Sequence, residues 1–268
     1  MAVDHYENFP VASVLLPSHL REPVALIYRF AREADDFADE GSAEASVRLQ
    51  QLDHFHRQLT KLERGEAPEI PWFSALGNTI RHYRLPIEPF RDLLSAFSQD
   101  VVQARYATYE DVLDYCRRSA NPVGRLLLVL YGAAERRHVA WSDAICSSLQ
   151  LINFLQDVAI DYRKNRIYLP QDEMLRFGIS EEDIARGETG AAWKAFMAFQ
   201  IGRARGLLHS GAPLGRVLEG RIGLELRMIV AGGARILKKI ENVQGDVFTR
   251  RPMLRPRDWP LMLLRSLR

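Results

Sequence analysis

Two stretches of this chain set carboxylates among apolar residues. The first reads Tyr28-Arg29-Phe30-Ala31-Arg32-Glu33-Ala34-Asp35-Asp36-Phe37-Ala38-Asp39-Glu40. The second reads Gln150-Leu151-Ile152-Asn153-Phe154-Leu155-Gln156-Asp157-Val158-Ala159-Ile160-Asp161. At about 3.6 residues per helical turn, Tyr28, Arg32, Asp35 and Asp39 fall on one narrow stripe, and Asn153, Asp157 and Asp161 on another, with Gln150 on the same side. A buried carboxylate is costly unless it is paired or coordinates a metal. Hard oxygen ligands suit magnesium, which commonly takes one or two carboxylates and completes its shell with water and substrate phosphate. The two stripes therefore read as a divalent-metal site built from Asp35, Asp39, Asn153, Asp157 and Asp161, with a diphosphate held between them. Arg32 beside Asp35 can pair with a carboxylate or hold a phosphate oxygen. Asp35-Asp36-x-x-Asp39 alone is also what a solvated acidic helix end looks like. The second stripe fits that description poorly, because Leu151, Ile152, Phe154, Leu155, Val158 and Ile160 surround it.

The elements that must carry these stripes are helices. Helical periodicity dominates the chain and strand-like alternation is scarce. The spacing predicts helices near 20–40, 43–64, 71–84, 87–104, 108–119, 122–138, 142–162, 191–210 and 214–243. Breakers fall at Gly41-Ser42, Gly65 to Pro71, Leu85-Pro86, Asn121-Pro122 and Gly211-Ala212-Pro213. Thr108 and Ser142 are expected as helix N-caps. No repeat, linker or shift of composition divides the chain, so residues 1–268 are expected to form one all-α domain.

Composition narrows the function. The 268 residues are 47% hydrophobic and 26% charged, ordinary for a soluble globular protein. A net charge of +2 argues against nucleic-acid binding. Cys116 and Cys146 are too few for a disulfide framework or a zinc site and are expected as buried thiols in a reducing compartment. No secretory leader or membrane-spanning run is visible. A nicotinamide fingerprint is also lacking, so no reductive step is expected. Arg163, Lys164 and Arg166 follow the second stripe, where a diphosphate needs countercharge; complementing a helix C-terminus is the plainer role for the first two. From Arg250 to Arg268 the chain carries six arginines against one aspartate, together with Trp259, Leu261, Met262, Leu263, Leu264 and Leu267. That mixture fits either an interfacial membrane segment or a tail packed on the domain.

These residues resemble the ordered motifs of the squalene/phytoene synthase family. The match runs through Tyr28-x-x-x-Arg32-x-x-Asp35-Asp36-x-x-Asp39, then Tyr115-Cys116-x-x-Ser119-Ala120-x-x-Val123-Gly124. It continues through Gln150-x-x-Asn153-x-x-x-Asp157-x-x-x-Asp161 to Arg166-x-Tyr168-x-Pro170. The resemblance implies a trans-isoprenoid synthase bundle with a central apolar cavity, magnesium as cofactor and a prenyl diphosphate as substrate. It implies catalytic roles for Asp35, Asp39, Asp157, Asp161, Tyr28 and Tyr115. Substrate contacts are implied for Arg32, Gln150, Asn153, Arg166, Tyr168 and Arg250. Tyr28 and Tyr115 could serve through their ring faces, through their hydroxyls, or as core packing. Departures from the family pattern fall at His5-Tyr6-Glu7-Asn8-Phe9, Asn121-Pro122, Gln156 and Gly233. They resemble the hydroxysqualene synthase branch of bacterial hopanoid biosynthesis, which implies conversion of presqualene diphosphate to hydroxysqualene. The alternatives are a head-to-head condensing synthase making presqualene diphosphate, dehydrosqualene or phytoene, and a non-catalytic membrane-associated assembly factor. The cysteines and the lack of a leader lead one to expect a cytoplasmic protein, and the arginine- and leucine-bearing tail peripheral contact with the inner face of the cell membrane; coupling to the enzymes before and after it in the pathway is expected too.

Overall fold

The computed structural model describes residues 16–41 and 43–266; the His5–Phe9 element lies outside the described residues. The chain folds as α1 (Ser18–Asp39), α2 (Ala45–Glu63), α3 (Phe73–Tyr83), α4 (Glu88–Val102), α5 (Tyr109–Ser119), α6 (Asn121–Leu130) and α7 (Arg136–Arg163). Then come α8 (Gln171–Phe177), α9 (Glu181–Arg186), α10 (Ala191–Gly211), α11 (Leu214–Val217), α12 (Gly220–Asn242) and α13 (Trp259–Ser266). The fold is all-α, as the periodicity predicts.

Local chemistry explains where the helices start and stop. Pro23 lies inside α1 and cannot donate to the His19 carbonyl; the Tyr83 hydroxyl donates to that oxygen instead, at 3.2 Å. Thr108 caps α5 as expected, in a capping box with Asp111. Ser142 does not cap: it is buried within α7. The expected helix 122–138 is interrupted because Gly132, at φ +65°, ends α6 with Ala133 N–H donating to Leu128 O at 2.9 Å. The expected helix 214–243 is likewise divided, with Gly220 at φ +63° opening α12. Two short helices, α8 and α9, occupy a stretch where none was expected.

Apolar side chains gather in two clusters. One joins α1–α4 and α6 around Phe30, whose ring lies 5.0–5.9 Å from those of Phe55, Phe73 and Phe90. The other joins α5 and α7–α12 around Trp193 and Phe196. Helices α6 and α7 approach closely at Gly124, where a Cβ would overlap Ser142 Oγ and lie 2.6 Å from Cys146 Sγ. Asn121 is buried there and accepts a hydrogen bond from Ser147 Oγ at 2.8 Å. The C-terminal stretch folds back on α12. Asp258 is fully buried between Arg235 (2.8 Å) and Lys239 (2.6 Å), and Met262 and Ser266 are buried beside it.

Candidate active site

Helices α1 and α7 line opposite walls of a cavity of about 520 Å³. From α1 it receives Tyr28, Arg32 and Asp35, and from α7 Gln150, Asn153 and Asp157. Tyr115 on α5, Gly233 on α12 and Arg251 complete the polar end and its rim. Most of the two sequence-predicted stripes thus share one chamber; Asp39 and Asp161 do not line it, though Asp161 lies close enough to feel the Asp39 charge. A second cavity of about 150 Å³ shares Tyr28, Val123, Cys146 and Leu149 with the first. Its remaining walls are mostly apolar, from Val24, Leu127, Leu214, Ile222 and Ile229 among others.

The acidic groups are arranged in two kinds. Asp39 and Asp157 already have cations. Arg166 pairs with Asp39, and Lys164 approaches Asp39 at 3.2 Å. Together these cations outweigh burial and hold the Asp39 carboxyl below its usual range. Arg251 forks onto Asp157, with Nη2 donating to Oδ2 at 2.9 Å and Nε to Oδ1. Asp35 and Asp161 are the second kind. Burial, and then the neighbouring Asp39 carboxylate, push Asp35 up to about 7. Burial, then Asp157 and Asp39, push Asp161 well above the ordinary carboxylate value. Arg32 pairs with Asp36 at 2.8 Å and stands 3.7 Å from Asp35.

A buried hub lies behind this wall. Asp100, at the end of α4, accepts hydrogen bonds from the hydroxyls of Tyr115 and of Tyr168, the latter at 2.9 Å. Burial pushes its carboxyl up to about 6. Tyr168 stacks on Phe154 of α7 at 4.0 Å and does not line the cavity. Its place comes from the backbone of residues 103–107, to which Ile167 N–H and Gln171 N–H donate (Ala104 O, 2.9 Å; Tyr106 O, 3.0 Å). Arg166 sits on the same turn and also donates to Asp100 O at 3.0 Å and Ala38 O at 3.3 Å. It therefore ties α1, α4 and the end of α7 together.

Arg250 and Tyr168, two of the expected substrate-binding residues, do not line the cavity. Arg250, expected at the diphosphate, is exposed; its neighbour Arg251 faces the cavity. Tyr168, expected on substrate, contacts Asp100 and Phe154. Sequence reasoning also missed Asp100 and Arg251. Asp100 had a signal in a lone carboxylate following Phe97 near the end of an amphipathic helix. Arg251 had none beyond its place in an arginine-rich tail. The departures have structural counterparts. Gln156 is buried and donates to the Pro252 carbonyl, which seats the segment bearing Arg251. Gly233 lines the cavity, where a Cβ would sit 3.0 Å from Leu149 Cδ2 and 3.3 Å from Ile152 Cδ1.

The donor set fits a hard divalent cation. Among the described residues no three carboxylate, thiolate or imidazole groups close around one point, so the protein alone does not form a cage. Burial, and then neighbouring carboxylates, raise Asp35 and Asp161, and a bound cation would relieve the repulsive part.

Comparison with known proteins agrees with this geometry. The squalene/phytoene synthase family model matches residues 2–258. The chain is 36% identical to a hydroxysqualene synthase of Rhodopseudomonas palustris over 93% of its own length and 84% of that protein's. It is 34% identical to a 15-cis-phytoene synthase of Synechococcus elongatus, over 91% of this chain and 83% of the other. Its fold superposes on the crystal structure of squalene synthase HpnC from Alicyclobacillus acidocaldarius with a TM-score of 0.82 and 36% identity, covering 90% of each chain.

Proposed function

The chain belongs to the squalene/phytoene synthase family, and from that premise we propose that it is a hydroxysqualene synthase. In this reading it ionises presqualene diphosphate, the cyclopropylcarbinyl cation opens its ring and rearranges, and water captures the allylic cation to give hydroxysqualene and diphosphate. The observation that carries the reading is one chamber that brings Arg32 and Asp35 of α1 together with Asn153 and Asp157 of α7, in a chain 36% identical to a hydroxysqualene synthase.

The residues divide the work. Asp35, Asp39, Asn153, Asp157 and Asp161 would hold magnesium, which neutralises charge on the departing diphosphate. Arg32 and Arg251 present guanidinium N–H groups suited to phosphate oxygens. Tyr28 and Tyr115 border the space where the cation forms, and ring faces there favour positive charge. The apolar walls keep bulk water from the cation until capture. The reading implies one enzyme that supplies presqualene diphosphate and another that consumes hydroxysqualene. We also place the protein in the cytoplasm with peripheral membrane contact through α13. No helix among the described residues is long and apolar enough to cross a membrane. Exposed Trp259, Leu263 and Leu264 lie beside Arg257 and Arg265 on α13 and its approach.

A second reading, head-to-head condensation of prenyl diphosphates, is favoured by the 34% identity to a phytoene synthase. Incubation with magnesium and either farnesyl diphosphate alone or presqualene diphosphate separates the two. Hydroxysqualene from presqualene diphosphate, with farnesyl diphosphate untouched, supports the proposal. Presqualene diphosphate, dehydrosqualene or phytoene accumulating from prenyl diphosphate alone would replace it with the condensing synthase.

A further inference from the structure

Asp100 lies in the last turn of α4, buried, and both of its carboxyl oxygens are taken by phenols. The Tyr115 hydroxyl donates to Oδ2 and the Tyr168 hydroxyl to Oδ1, the latter at 2.9 Å. Burying a carboxylate is unfavourable, and hydrogen bonds from both sides make it tolerable. The rings around it are held as firmly. Tyr168 lies parallel on Phe154 of α7, with 4.0 Å between centroids, and 5.5 Å from Tyr106. Tyr115 meets Tyr106, Phe154 and Tyr168 at 5.6–6.0 Å. Of these five residues Tyr115 alone lines the chamber that holds Asp35, Asn153 and Asp157.

This arrangement decides what Tyr115 can offer. Its Cα is fixed on α5 and its hydroxyl is tied to α4, so the ring is held at both ends. The hydroxyl proton is directed at Asp100 and is not available to a phosphate oxygen. Burial, and then the Asp100 charge, raise that hydroxyl well above its ordinary value, so it stays a neutral phenol. What remains for the chamber is the ring. A carboxylate accepting from the hydroxyl also polarises the phenol, so that its face favours a cation more. Arg32, Asp35, Asn153 and Asp157 surround the place of the diphosphate in the proposed reaction. The carbon that loses the diphosphate therefore becomes cationic in the chamber that Tyr115 lines.

We infer that Asp100 is a positioning residue, which holds Tyr115 with its ring toward the chamber as the surface that stabilises the carbocation, while Tyr168 braces Asp100 from the other side. The inference rests on the proposed ionisation of a prenyl diphosphate, and it assigns the ring of Tyr115, rather than its hydroxyl, to the cation. Asp100 does not line the chamber and works only through the tyrosine. The intact substrate carries no positive charge at the reacting carbon, so the ring's contribution belongs to the transition state and not to substrate binding. Loss of the tether should therefore be read in kcat, with KM nearly unchanged.

The test is a cycle of substitutions. Wild-type protein, Asp100→Ala, Asp100→Asn, Tyr115→Phe and the double variant of Asp100→Ala with Tyr115→Phe are assayed for diphosphate release from presqualene diphosphate with magnesium. Thermal melts give the folded fraction to which each rate is referred. Tyr115→Phe keeps the ring and cuts the tether; its kcat should fall about threefold to tenfold, with KM within about twofold of wild type. Asp100→Ala should lower kcat about tenfold or more, the scale of a hydrogen bond to a charged group. Asp100→Asn still has an oxygen to accept one hydroxyl and should keep more of the rate. The double variant should be no slower than Asp100→Ala, because the two residues act as one unit. Wild-type kcat in Tyr115→Phe overturns the inference whatever the Asp100 variants do, and so does a double variant whose loss is the product of the two single losses. If farnesyl diphosphate is consumed and presqualene diphosphate is not, the proposed function falls, and the same cycle on farnesyl diphosphate decides the inference by the same criterion. Wild-type protein that leaves both untouched overturns the two together.

Discussion

Replacing Arg251 with methionine should destabilise the protein by an amount that depends on magnesium. Methionine keeps most of the apolar stem of arginine and removes the charge, so lost packing contributes little. The Arg251 and Asp157 side chains are 21% and 20% exposed. The figure for solvent-exposed pairs, below about 1 kcal/mol, is too small for them. The figure for breaking a fully buried pair, about 3–5 kcal/mol, is too large. An intermediate loss of about 2 kcal/mol is expected, which for a chain of this size is a Tm lower by about 4–8 °C. The freed Asp157 carboxylate also presses harder on Asp161, whose pKa it already raises. A divalent cation relieves the same repulsion, so the loss should be largest in EDTA and clearly smaller in excess magnesium. The same substitution should lower kcat/KM for diphosphate release about tenfold to hundredfold, the scale of one hydrogen bond to a charged group. Thermal melts of both proteins in EDTA and in magnesium decide the matter. A Tm difference of the same size in both buffers refutes the argument that Arg251 and the metal serve one carboxylate.

Asp35→Asn and Asp157→Asn should each abolish magnesium-dependent diphosphate release while leaving the far-UV circular dichroism unchanged, because each removes a leaving-group contact worth several kcal/mol; wild-type rates in either would sink the metal assignment. In EDTA, stability should fall as pH rises from about 4 to about 7. Asp35 and Asp100, at about 7 and about 6 against an ordinary 3.8, hold protons in the folded state that the unfolded chain has released. The raised value of Asp35 alone would amount to about 4 kcal/mol in a dry site; with its side chain 38% exposed, screening leaves about 1 kcal/mol. His56, held below its ordinary value by burial and Arg91, has the opposite slope, but it contributes equally with and without metal. Magnesium should therefore raise Tm more at pH 7.5 than at pH 5, and equal increments at the two pH values would contradict the assignment. Removing residues 259–268, or introducing Leu263→Glu with Leu264→Glu, should reduce co-sedimentation with anionic vesicles, most clearly at low salt; undiminished binding would show that α13 is not the contact.

Much of the site was legible because its reactive groups repeat at helical spacing. Asp35 and Asp39 on α1, and Asn153, Asp157 and Asp161 on α7, are local patterns, and local patterns survive in a linear reading. The partners of those groups are not local. Arg251 meets Asp157 because Gln156 holds the Pro252 carbonyl, a contact across most of the C-terminal half of the chain. Arg250 and Arg251 are adjacent arginines in a segment without periodicity, so the linear pattern does not tell them apart. Helix limits failed for a different reason. Helices α8 and α9, Gln171–Phe177 and Glu181–Arg186, are too short to show a period. Their end signals are nonetheless present: glycines at positive φ after each, and a capping box at Ser180 and Asp183. Ser142 was misplaced because a serine preceding an apolar run looks like a cap. In the fold it is the small residue that lets α7 approach Gly124.

The charge arrangement bears on the order of events at this site. Asp39 and Asp157 are neutralised by Arg166, Lys164 and Arg251. Asp35 and Asp161 are pushed toward their protonated forms. A diphosphate entering alone would therefore meet carboxylates whose cations are already committed, and it would lose more by desolvation than it gained. A divalent ion entering alone would have to displace a guanidinium or a proton for each carboxylate oxygen it took. Arriving together, the two change the sum. The carboxylates would hold the ion, and Arg251, so released, would be suited by its planar fork to the phosphate oxygens. For Arg251 that exchange would mean leaving Asp157. Arg166 is tied further, since its guanidinium also binds the carbonyls of Ala38 and Asp100. On the proposed reaction the two arginines would have different work: Arg166 would keep α1 and α7 in register, and Arg251 would exchange a carboxylate for the leaving group.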